Sequence, residues 1–192
     1  MNISILDIRE EAYEALGVTE LPGCEHPHYE QSLKIIKGVL LRCLEGHSWY
    51  FARKRVTLSG NDGVFALPDD FLLLLWCSAK SYELLGRELR CFAGNCLEVL
   101  YISRSCVDAL ENNGVADLPA YFIECVVCKT SERLAVIVSG SMDKKLSLHK
   151  LYDVFLDEAK LVDVRQYASN GRVVAPLDAM IGADGDFFPP TY

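Results

Sequence analysis

The apolar spacing of this chain changes period twice. Up to Glu45 hydrophobic side chains recur at helical intervals; between Arg53 and Ser103 they fall in short runs punctuated by glycine; from Leu118 the helical interval returns. A 3.6-residue period and a two-residue period cannot be met by one backbone conformation. The reading is therefore α+β: a four-helix bundle with an inserted small antiparallel β subdomain and an extended C-terminal tail. Its expected boundaries are 1–52 and 115–168 for the helical bundle, 53–114 for the insert and 169–192 for the tail.

Ser4 can cap the first helix, with Asp7 in its first turn, Ile5, Ile8, Ala12 and Leu16 on one face, and Gly17 placed to end it. A loop with Pro22, Gly23 and Pro27 leads to a second helix from about Tyr29 to Glu45, carrying Leu33, Ile36, Lys37, Leu40 and Leu44 at helical spacing. Strands are expected at 53–59, 64–67, 72–78, 81–85, 89–92 and 96–103, with the hairpin-type turn Gly60-Asn-Asp-Gly63 after the first, all in one compact sheet. Asp117 is expected to cap a third helix, with Pro119 in its first turn and Gly140 at its end. This helix, from Leu118 to Val138, is apolar over much of its circumference, as in helices buried on more than one side. Ser141 and Asp143 open a fourth, with Leu148, Leu151, Phe155, Ala159 and Val162 as its apolar stripe and Lys150, Asp153, Asp157, Lys160 and Asp163 as its wet face.

With 192 residues the chain has enough length for one good core, or one core with a small appended subdomain. No apolar run approaches the roughly 20 residues that span a bilayer. The N-terminus has no basic region followed by an apolar one, so folding in a cytoplasm is expected. There the eight cysteines behave as small hydrophobes. Cys125-x-x-Cys128 is the one metal-like spacing, and it has neither a second such pair nor a histidine pair; no metal and no cofactor are expected. Cys91 and Cys96, flanking Gly94-Asn95, could face each other across a hairpin, with packing the preferred reading. The net charge of −8 is concentrated in residues 1–31, where seven acidic side chains stand against Arg9 alone. A protein that grips nucleic acid by releasing counterions carries the opposite surplus. No nucleophile elbow, P-loop or dinucleotide fingerprint occurs, and Asp69-Asp70 after Leu67-Pro68 reads as a turn; no catalytic residue and no enzymatic activity are expected.

The stretch His47-Ser-Trp-Tyr-Phe-Ala-Arg-Lys-Arg-Val-Thr-Leu58 joins aromatic residues to a basic triplet, and Phe65-Ala-Leu-Pro-Asp-Asp-Phe71 follows it. Trp49 and Phe51 suit a core or an intersubunit contact, the core being the stronger reading. In an extended segment Arg53 and Arg55 share one side and Lys54 takes the other. The two stretches resemble the signature of the tail tubular protein A family, the head-to-tail adaptors of short-tailed bacteriophages. There a H-x-W-x-F-A-x-x-R-x-x-L segment precedes a Y-x-L-P-x-D-x-L segment. Glu14-Ala-Leu-Gly-Val-Thr-Glu-Leu21, the proline-started apolar helix after Leu118 and Leu151-Tyr-x-x-Phe-Leu-x-Glu-Ala159 are similar to further elements of that family in the same order, over roughly residues 3–168. The third helix departs from the pattern at Cys125, Cys128 and Lys129, and residues 169–192 match none of it.

The resemblance implies a structural virion protein, folded in the host cytoplasm and placed at the neck of the particle. It would be one subunit of a ring, commonly of twelve copies, between the portal protein and the tail nozzle protein. DNA would pass through the channel without specific binding, and no membrane is involved. Closing a ring requires two unlike adhesive faces on each subunit. The candidate interface residues are Trp49, Phe51, Arg53, Lys54, Arg55, Phe187, Phe188 and Tyr192. Alternatives are a connector or head-completion protein of a longer-tailed phage, and a monomeric nucleic-acid-associated protein using Arg53 to Arg55.

Overall fold

The Ser4 hydroxyl accepts from the Asp7 amide while the Asp7 carboxylate accepts from the Ser4 amide, a reciprocal capping box that starts the first helix. In the computed structural model, which describes residues 1–169 apart from 19, 93, 112 and 113, the elements follow in this order. Strand β1 is Asn2–Ile3, helix α1 Ile5–Glu14 and α2 Pro27–Glu45. After a short 3-10 turn at Tyr50–Ala52 come β2 Arg53–Ser59, β3 Val64–Ala66, β4 Phe71–Cys77, β5 Tyr82–Leu85, β6 Glu88–Cys91 and β7 Cys96–Ser103. Then follow α3 Ser105–Glu111, β8 Ala116–Asp117, α4 Ala120–Ser139 and α5 Met142–Ser169. The protein is α+β, with five α-helices and small antiparallel sheets among its described residues. No helix among them is long and apolar enough to cross a membrane.

The described residues form two compact units, Met1–Phe51 with Arg104–Asp163, and Ala52–Ser103 with Val164–Ser169. In the first, α4 packs on both α1 and α2, around Ala12, Tyr13, Leu16, Leu134 and Ala135. Helix α5 is tied to this unit by a row of polar contacts. Lys144 Nζ donates to the Leu16 carbonyl at 2.6 Å, and the Tyr152 hydroxyl lies 3.9 Å from Cys43 Sγ. Arg9, the lone basic residue of the N-terminal stretch, is turned inward: it donates to Ser32 Oγ at 3.0 Å and the Pro22 carbonyl, and lies over the Tyr13 and Tyr29 rings. The outward carboxylates of α1 are left to repel one another. Partial burial, then Asp7, Glu14, Glu10 and Glu124, push the Glu11 carboxyl above its ordinary range.

The second unit differs from the expected single sheet. It has two three-stranded antiparallel sheets, in the orders β2-β7-β4 and β3-β6-β5, which share one core of Leu58, Phe65, Leu67, Cys77, Leu89, Cys91, Leu97, Val99 and Tyr101. Strand β4 leaves its sequence neighbours to pair with β7, so β6 and β7 are not partners. Cys91 is accordingly buried and Cys96 exposed, without the cross-hairpin arrangement that Gly94-Asn95 suggested.

Three further expectations are corrected. Asp117 does not cap a helix: it lies in β8 opposite Asn2, and Pro119 is itself the residue that precedes α4. Leu151 is exposed rather than part of the apolar stripe of α5. Asp163, assigned to the wet face by its charge, is 2% exposed. It lies one helical turn after buried Ala159, and position on the helix outweighs residue type.

Candidate functional site

The residues that drew attention in the sequence build two polar nodes, one in each unit. In the first unit Trp49 is fully buried, its indole N–H donating to the Cys43 carbonyl at 2.7 Å. Its ring meets Phe51, Tyr121 and Phe122 at centroid distances of 6.0, 6.2 and 5.2 Å. Of the two readings offered for Trp49, core and interface, the core is the one it occupies. Phe51 beside it is half-buried, edge-on to Phe122. Asp163 anchors this aromatic group from α5, accepting from the Tyr50 amide at 2.9 Å and the Tyr121 hydroxyl at 2.7 Å, with His47 Nε2 at 3.9 Å. Burial, reinforced by the Asp163 carboxylate, pushes the Tyr121 phenol far above its usual range, so it stays a donor.

In the second unit the basic triplet falls on β2. Lys54 lies on the face that also carries Val56 and Leu58, directly opposite Tyr101 of β7. Its stem extends this apolar row while its ammonium stays exposed. Asp70 meets it there: Lys54 Nζ, Tyr101 Oη at 2.9 Å and Ser103 Oγ at 2.6 Å all donate to its carboxylate. Burial alone would raise this carboxyl. The three hydrogen bonds and the Lys54 charge outweigh that and hold it at about 2, while burial and Asp70 push Tyr101 up to about 12. Arg55, on the opposite face, makes a two-pronged bond to Glu98 at 2.6 and 3.0 Å and lies over the Trp76 ring. Arg53 is half-buried at the start of the strand. The triplet is thus divided between faces as its alternation predicts, and Lys54 and Arg55 are engaged with carboxylates of their own unit. Phe187, Phe188 and Tyr192 lie outside the described residues.

The two halves of the sequence signature are therefore joined physically, because Lys54 of the first reaches Asp70 of the second. Asp69, its neighbour, is fully exposed beside Arg87 at 3.3 Å. Among the described residues no three histidine, cysteine or acidic side chains are placed to hold a metal ion. Cys125 and Cys128 are buried, and burial first of all lifts their thiols to about 12 and about 11.

Sequence reasoning missed one surface. Among the described residues strand β5 is an edge strand hydrogen-bonded only to β6, and Tyr82, Leu84 and Leu85 on it are all exposed, as is Phe92 beyond β6. An open edge with apolar side chains on it is a common place for another chain to add. The alternation of Tyr82-Glu-Leu-Leu85 carried no sign of it, since edge position depends on which strands pair. In comparison with protein-family models and with curated proteins, the chain matches none.

Proposed function

We propose that this protein is an architectural subunit that acts by binding through large surfaces. More particularly, we read it as one copy of the ring-shaped adaptor between the portal and the tail nozzle of a short-tailed phage. In this reading α1, α2, α4 and α5 form the four-helix bundle of the subunit and the two small sheets form its insert. The observation that supports it most is the Lys54–Asp70 tie. It joins the aromatic-basic segment to the Leu-Pro-Asp segment through Asp70, the aspartate of the signature, while Lys54 falls at a position the signature leaves open. The α+β order of helices and strands agrees with it.

The ring needs two unlike faces. The β5 edge, with Tyr82, Leu84, Leu85 and Phe92, supplies apolar surface and open backbone for one of them. Phe187, Phe188 and Tyr192 are candidates for the other. The acidic face of α1 and the net charge of −8 suit a channel through which DNA passes without adhering. No chemical step is part of this role.

Electron microscopy of this protein mixed with the portal ring encoded in the same genome tests the reading. The expected result is an added ring layer beneath the portal, on the order of twelve copies. A well-formed portal beside free monomer would count decisively against it.

A further inference from the structure

The exposed side of α5 repeats itself when it is read backwards. Leu146, Lys150, Asp157 and Leu161 project from one side of this 28-residue helix at 1.5 Å of rise per residue. Lys150 and Asp157 are two turns apart and nearly in line; Leu146 and Leu161 lie farther out, displaced to opposite sides of that line. All four are exposed, Leu146 at 54% and Leu161 at 57%. Both pairs are centred on the same point, midway between Asp153 and Val154.

We propose that two copies of this chain pair through this face of α5, antiparallel about a twofold axis that runs midway between the two helices, level with the midpoint of Asp153 and Val154. In that arrangement Leu146 of each copy lies level with Leu161 of the other, and Lys150 of each lies level with Asp157 of the other. The result is two ion pairs flanked by two leucine layers, the side-by-side placement of helices that interlock along a seam. Val154, 54% exposed, meets its own copy on one rim of the axis, which adds apolar contact there. Asp153 meets its own copy on the other rim, which opposes pairing. Two neighbours on the helix modulate these charges: Lys160 Nζ is 3.3 Å from Asp157, and His149 Nε2 is 4.0 Å from Asp153. The occupant is a second copy because under that twofold the face is complementary to itself, each Lys150 meeting an Asp157 and each Leu146 a Leu161.

A twofold contact closes at two copies and cannot propagate into a ring. The pair is therefore a separate state of the free protein, and it stands or falls independently of the adaptor role. Failure of the portal experiment would leave it untouched, and loss of pairing would leave that experiment unaffected.

Sedimentation of the full chain over a concentration series at low and high salt tests the proposal. The expected result is a monomer–dimer equilibrium that weakens with salt. Lys150→Glu alone and Asp157→Lys alone each place two like-charge contacts at the axis and weaken the dimer about ten-fold or more. The double variant Lys150→Glu with Asp157→Lys restores it, and Asp153→Asn strengthens it. These side chains are exposed, so the variants keep the fold. A chain that stays monomeric up to on the order of 1 mM, or a dimer indifferent to the single swaps or not rescued by the double one, overturns the proposal.

Discussion

Asp70 shows how much one carboxylate can organise. It gathers an ammonium from β2 and two hydroxyls from β7, and its carboxyl is held at about 2 against an ordinary 3.8. A depressed acid contributes stability that is fully present above its unfolded value and is lost as the pH falls through its folded one. Asp70→Asn should therefore lower stability by about 1–2 kcal/mol at neutral pH, with the gap to the parent closing between about pH 4 and pH 2. Urea unfolding midpoints across that range measure it. A gap that stayed constant with pH would show that Asp70 acts by shape rather than by charge. None of this was visible in the sequence, where Asp69 and Asp70 are equivalent neighbours in a turn. The choice between them depends on which one faces Ser103 and Tyr101 across β4 and β7. The same holds for Asp163, whose charge argued for water while its place one turn beyond Ala159 put it inside.

At the scale of elements, local chemistry was legible and pairing was not. The ends of β2 and β7, the capping of α1 by Ser4 and the stop of α4 at Gly140 follow from alternation, side-chain hydrogen bonding and backbone freedom, all properties of a few adjacent residues. Which strands lie side by side depends on β7, thirty-odd residues beyond β2 in the chain, and so one expected sheet became two. Glycines separate local from distant causes in a measurable way. Gly140 closes α4 at φ +64° with open space around the missing side chain, so Gly140→Ala should cost about 1 kcal/mol from backbone strain alone. Gly63 has φ +75°, and a Cβ there would lie 2.5 Å from the Cys91 carbonyl oxygen of β6. Gly63→Ala should cost about 2–3 kcal/mol, because the chain approach as well as the turn is disturbed. Thermal melts of the two variants side by side decide it; equal losses would mean that the β3–β6 contact yields freely.

For the whole molecule, the change of hydrophobic period was enough to read an α+β chain with strands between helices, because period is set by backbone geometry. The surfaces that would meet other molecules were far less legible. Exposed Leu84, Leu85, Leu146 and Leu161 look in sequence like any other core leucines, and only tertiary packing leaves them outside. The distribution of the cysteines has a practical consequence of its own. Cys24 and Cys96 are exposed, one in each unit, and Cys106 in the first is half-buried, whereas Cys43, Cys125 and Cys128 are sealed in the first and Cys77 and Cys91 in the second. A maleimide reagent should modify the two exposed thiols at once, and the five sealed thiols only as their surroundings open. Following the slow sites by mass spectrometry would then time the breathing of each unit separately, with no label or substitution added to the chain.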